Sequence, residues 1–159
     1  MGQHQPPVPY MARSHAYYTA QGFDKVYQYA HHTETPFCNL TKPLSQCTLG
    51  IVTTASTYPR APMEPRKVDS APIDPPPSRL YADDLSWDKQ ATHLDDLNSY
   101  FPLGALQRLV AQQKLAGLAP HFHCAPTEYS QSTTTEKDAP EIHQRLLDDG
   151  ADIALLIPL

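Results

Sequence analysis

His121 and His123 flank a phenylalanine in the run His121-Phe-His-Cys124. On a strand, residues two apart share a face, so the two imidazoles would point the same way. Two imidazoles on one face suit a metal, with a carboxylate such as Glu128 as third ligand. They equally suit a polar pair facing a substrate, or ordinary core or surface histidines. His93, Asp95 and Asp96 form a second group. Paired carboxylates do acid–base work when one is held protonated, and a solvated acidic turn is the plain alternative. Thr53, Thr54 and Ser56 close an apolar run. They offer hydroxyls to an anion or to the turn itself.

Other chemistry is excluded by what the chain lacks. There is no GxGxxG and no GxxxxGK[ST], so neither glycine-rich phosphate loop is present. There is no Gly-x-Ser-x-Gly elbow. The cysteines are Cys38, Cys47 and Cys124, an odd number without a CxxC, which signals neither a disulfide framework nor a zinc ribbon. Cys47 reads as a small buried hydrophobe. The net charge of −5 argues against a nucleic-acid surface. No apolar run is long enough to span a membrane, and the first residues carry no apolar signal segment, so a cytoplasmic protein is expected.

The elements that must position these groups follow from pattern. A chain of 159 residues can bury one ordinary core. The 17 prolines cluster in Gln5–Pro9 and Pro59–Pro77. Residues 1–35 read as a tail and a helical arm, with two short helices between Ser14 and Ala30 whose tyrosines pack onto a core. Residues 36–159 read as the α/β domain. Cys47 to Thr54 is a buried strand. Tyr58 to Pro77 is an irregular loop, because proline fixes φ and removes a donor. A short strand near Ala91–Leu94 is followed by a helix from Leu103 to Ala116, with Pro102 at its start and Gly117 as its stop. Leu118 to Cys124 is the next strand. Asp138 and Glu141 have capping-box spacing for a helix whose Ile142, Leu146 and Leu147 face inward, ended by Gly150. Ile153 to Ile157 is the last strand. Strands alternating with helices predict a mostly parallel open sheet with flanking helices.

Four stretches together carry a resemblance: YAHHTETPFCNLTKPLSQCTLGIVTTAS, DPPPSRLYADDLSWDKQATHLDDLNSYFPLGALQRLV, GLAPHFHCAPTEYSQ and DAPEIHQRLLDDGADIALLIPL. In order and spacing, from about Tyr17 to Leu159, the chain resembles the selenoprotein B family of glycine, sarcosine, betaine and D-proline reductases. Within that family it is similar to the short relatives found outside amino-acid-fermenting bacteria. The resemblance implies a redox enzyme with a selenocysteine, or a cysteine in its place, just after the last strand, and a second cysteine a few residues on. In the family the selenolate displaces the amino group of an activated amino acid, and thiols resolve the product. A selenol ionises below the thiol value of about 8.5, and a helix N-terminus after the strand would favour the anion further.

The resemblance therefore makes the sheet incomplete at its C-terminus and the 159 residues the N-terminal part of a larger domain. The selenocysteine is expected immediately after Leu159, at a UGA codon read as a stop. No residue of this chain is carried over as catalytic, and no metal or other cofactor is expected in it. His121, His123, Asp96 and Asn98, near predicted strand ends or helix starts, are the candidate substrate-binding residues. The implied partners are a small molecule with a reducible carbon–heteroatom bond and a thiol reductant or partner reductase subunits. The alternative is a non-catalytic α/β binding or subunit module. A metal hydrolase built on the histidine pair is a third reading.

Overall fold

The structure is a computed structural model that describes residues 8–23, 25, 28–36, 38–60, 64–83, 93–128 and 130–159. The chain divides into two compact units, Met1–Phe37 and Cys38–Leu159. In the first, α1 spans Tyr10–Ala20. The sequence predicts two helices within 14–30. The helix instead starts earlier, and the chain turns at Gly22 (φ +84°), a left-handed conformation that glycine adopts without strain. No residue of α1 is buried. The rings expected to pack on a core instead meet one another edge-on, Tyr17 with Tyr18 at 5.6 Å and Tyr18 with Phe23 at 5.9 Å. Val26 and Tyr27 lie outside the described residues.

The second unit is built on one sheet: β1 (Thr48–Thr53), β2 (Asp69–Pro72), β3 (Gly117–Cys124) and β4 (Ile153–Ile157). The order is β2-β3-β1-β4. β1 pairs in parallel with β3 and β4, and β2 runs antiparallel to β3. This is the mostly parallel α/β sheet expected from the alternation of elements. Thr53 is opposite both Cys124 and Ile157, so the three parallel strands end level.

The edge strand β2 departs from the sequence reading. β2 lies inside the segment expected to be wholly irregular. Residues Val68 to Ala71 are free of proline, and an edge strand needs donors on one side only, so Pro72 can close it. Pro120 sits within β3, where the register jumps from Leu49↔Leu118 to Ile51↔Phe122. That irregularity absorbs the missing donor, while the Pro120 carbonyl accepts from Ile73 at 3.0 Å. Near 91–94, Ala91 and Thr92 lie outside the described residues, and His93 and Leu94 are not in a strand.

Each face of the sheet carries its own apolar cluster. On one face Leu49, Ile51, Phe122 and Cys124 meet Phe101, Leu103 and Leu106. The last three belong to the stretch of α2 (Leu97–Tyr100) and α3 (Leu103–Ala111). Phe101 and Phe122 pack edge-to-face at 4.9 Å. α3 stops at Ala111, short of the expected Ala116. Gln113 takes the left-handed turn (φ 58°), and Gly117, expected as the stop, opens β3.

On the opposite face Val52 and Val68 pack against Ile142, with Leu146 beside them. The last two lie on α5 (Ala139–Asp148), which a short turn α4 (Gln131–Thr133) and a wide π turn over Thr134–Asp138 precede. Asp138 is not a cap: its backbone is helical and its side chain caps nothing. The Ser130 hydroxyl accepts from the Thr133 N–H instead. Pro140 lacks the N–H an ordinary helix would use there, and the π turn is the local answer. Ile142 is buried, but Leu147, expected inward, is 53% exposed. β4 is half-buried rather than buried, because it is an edge strand, and Leu156 points outward at 68% exposure.

Candidate functional site

β1 is followed by the chain leading to β2 and α3, and β3 by α5 on the opposite face. The carboxyl ends of the parallel strands form the edge outside which ligands of open α/β sheets bind. The turn after β1 is polar and tightly bonded. Buried Thr53 accepts from the Ala55 N–H through Oγ1 at 3.1 Å, and its carbonyl accepts from Ala125 at 2.8 Å. Ser56 and Tyr81 exchange backbone hydrogen bonds at 2.7 and 2.8 Å, and Arg60 Nε donates to Ser56 Oγ at 3.3 Å. The threonine and serine hydroxyls at Thr53 and Ser56 therefore serve the turn. Thr57 donates to the Asp69 carboxylate. The Leu159 N–H donates to Thr54 Oγ1 at 2.9 Å, so the chain leaving β4 arrives at the same edge. A cleft of about 300 Å³ opens on the β2 side of the sheet, lined among others by Thr57, Ala71, Arg79, Tyr81 and Phe122, with the Arg79 guanidinium 5.2 Å from the Tyr81 ring centre.

Cys124 ends β3 with no exposed surface. Burial pushes its thiol up to about 12, and the Asp69 carboxylate pushes the same way. A thiol in that state is not a nucleophile at neutral pH. Cys47 is buried, as expected of a small hydrophobe, and Cys38 is exposed.

The histidines lie elsewhere. Phe122 and Cys124 face the α3 cluster, so His121 and His123 face α5. Asp149, just past α5, receives both rings. His121 Nδ1 is 2.9 and 3.1 Å from its two oxygens, and His123 Nε2 is 3.5 Å from Oδ2. On the other side of its ring, His123 Nδ1 is 2.8 Å from Ser70 Oγ. Arg145 Nη1 donates to the same Ser70 oxygen at 2.6 Å, and Nη2 donates to Glu141 at 2.6 Å. His123 is almost wholly buried. Burial holds its pKa below the ordinary value, Asp149 opposes that, and Arg145 and His121 add to it.

The four residues read from sequence are therefore not one site. Asp96 caps α2 by accepting from the Asn98 N–H at 3.1 Å, and α2 packs on the α3 side of the sheet, opposite to the histidines. His93 and Asp95 are exposed 3.5 Å apart, a solvated acidic turn. Glu128, offered as a third metal ligand, pairs with Arg66 and accepts from Ser130 N–H at 2.8 Å. Among the described residues no three His, Cys, Asp or Glu side chains are placed to hold a metal ion. Among them, too, no helix is long and apolar enough to cross a membrane.

Sequence reading missed Ser70, Arg145 and Asp149 as partners of the histidines. One signal was present. Asp148 and Asp149 put negative charge at a helix C-terminus, against the helix dipole. A cost of that kind asks for a compensating cation or donor, which His121 supplies. No family model, no curated protein and no solved structure matches the chain.

Proposed function

We propose that this chain is the scaffold of a selenol- or thiol-based reductase of the selenoprotein B type, acting on a small molecule with a reducible carbon–heteroatom bond. One observation carries the reading: β1, β3 and β4 end level, and the chain leaving β4 is held to Thr54 at that carboxyl edge. A nucleophile in the turn after β4, where the resembled family has it, would stand at this carboxyl edge, and the cleft of Thr57, Arg79 and Tyr81 opens across the sheet on the β2 side. There Arg79 offers a guanidinium to a substrate carboxylate, and the Thr57–Asp69 pair offers an acceptor to an amine. The bond to the heteroatom is replaced by a bond to hydrogen, the heteroatom leaves protonated, and two thiols are oxidised to a disulfide. None of the three cysteines of this chain is assigned the nucleophilic role.

Reading the nucleotides that follow codon 159 tests the proposal. A UGA codon followed in frame by a cysteine codon is the expected result. UAA, UAG or an unrelated frame overturns it. A second reading, a non-catalytic module that completes a partner's sheet, is favoured by the outward Leu156 on edge strand β4 and by exposed Leu147. Self-association of the 159-residue product that Leu156→Lys abolishes, together with UAA or UAG after codon 159, supports that reading.

A further inference from the structure

The Ser70–His123–Asp149 group lies on the α5 face and is independent of the reductase reading. Its hydrogen-bond polarity is fixed at both ends. Arg145 can only donate, so Ser70 Oγ accepts from it and its own proton is free to point at His123 Nδ1, 2.8 Å away. Nδ1 then accepts, which places the remaining ring proton on Nε2. Nε2 has no hydrogen-bond partner among the described residues and faces Asp149 Oδ2 at 3.5 Å, a carboxylate that can only accept. The order hydroxyl, imidazole, carboxylate is that of a nucleophile, its base and the group that orients the base, which recurs on unrelated folds. Such contacts are commonly loose before substrate binds, and the link to Asp149 is the loose one here. Ser70 itself is half-buried on β2, the edge strand.

We propose that Ser70, His123 and Asp149 form a relay that hydrolyses small carboxylic esters, with the Arg145 guanidinium beside Ser70, close to where negative charge develops on the ester carbonyl oxygen. Ser70 Oγ bonds to the ester carbonyl carbon while its proton passes to His123 Nδ1, and the carbonyl π pair moves onto oxygen. Return of that pair expels the alcohol, which leaves with the proton from His123. Water then repeats the sequence on the acyl-serine and releases the acid. His123 is uncharged at neutral pH because burial, Arg145 and His121 disfavour its protonated form more than Asp149 favours it, so the base is available.

The test is labelling of the 159-residue protein with a fluorophosphonate, alongside p-nitrophenyl acetate turnover in wild type, Ser70→Ala, His123→Gln and Asp149→Asn. The expected result is a stoichiometric adduct on the peptide carrying Ser70. Turnover is expected to fall by about 100-fold or more in Ser70→Ala and His123→Gln, and the wild-type rate to rise along a limb below about pH 6.5 and level off above it. Ser70→Ala removes one hydroxyl from an edge strand, and an unchanged thermal midpoint in that variant separates lost chemistry from lost fold. No adduct, an adduct on another residue, or wild-type turnover in Ser70→Ala overturns the proposal. Wild-type turnover in Asp149→Asn overturns the relay.

Discussion

Cys124 and His123 are neighbours in sequence on opposite faces of β3, and each is held in its uncharged form by burial. For Cys124, held at about 12, the consequence is inertness. At pH 8 a thiol reagent is expected to titrate one cysteine of the native protein, exposed Cys38, and all three after denaturation. Fast native reaction at Cys124 would contradict the packing described. For His123 the consequence is a pH dependence with a definite sign. Its folded pKa lies below the unfolded value of about 6.5, so in the window between the two the unfolded chain binds a proton that the folded chain refuses. Stability contributed by neutral His123 is therefore complete above about pH 6.5 and is lost as pH falls toward the folded value. His123→Gln is expected to lose less stability than wild type between pH 7 and pH 5, measured by urea denaturation at each pH. Equal slopes would show that His123 is not the group that titrates. The pairing of His121 with His123 on one face was legible from their spacing. Their partners were not, because Ser70 and Asp149 come from elements 53 and 28 residues away from the histidines they meet.

Gly50 shows how an element is placed by an absence. It lies on β1 under α5, and a Cβ there would run into the Leu146 side chain and approach Ala151 Cβ to 3.2 Å. The helix sits close to the sheet because this residue has no side chain, and the Val52–Val68–Ile142 cluster depends on that approach. Gly50→Ala is expected to cost about 1–3 kcal/mol through overpacking. In the Leu146→Ala background the same change is expected to cost much less, because the obstructing group is gone. Denaturant midpoints of the four members of this cycle check it, and additive costs would mean that α5 is not seated by this contact. Element existence was well signalled by periodicity, as in α3, α5 and three of the four strands. Element ends were not. Gly117 sits where a helix stop is wanted, yet Gln113 supplies the turn and the glycine begins a strand. Asp138 and Glu141 have capping-box spacing, yet Pro140 between them shifts the helical start back to a Ser130 cap. In the first case a local signal lost to a longer-range requirement, since Ala116 N–H is claimed by the Cys47 carbonyl at 3.1 Å as β3 enters the sheet; in the second it lost to a neighbouring proline.

At the scale of the molecule, every buried hydrophobic residue among those described lies between Cys47 and Ile142, and β4 and Leu146 pack against the two clusters from beyond it. The α/β order was readable because alternating strands and helices admit few arrangements. β2 was hidden because a four-residue edge strand between prolines carries almost no pattern of its own, and its pairing with β3 is what makes it a strand. The tyrosine-rich arm misled in the opposite direction. Its aromatic content suggested a packed helix, but the spacing puts no continuous apolar stripe on α1, and none of its residues is buried. Hydrophobic stabilisation follows apolar area removed from water, and no residue of α1 is buried. A chain beginning at Cys38 is accordingly expected to unfold in one cooperative transition, with a stability within about 1 kcal/mol of the 159-residue chain. Urea melts of the two chains followed by far-UV circular dichroism decide the point. Loss of cooperativity, or a larger drop, would show that residues before Cys38 complete the core. An unchanged transition would fix the sheet, its level strand ends and the Ser70–His123–Asp149 group as properties of one autonomous unit, available to be tested without the arm.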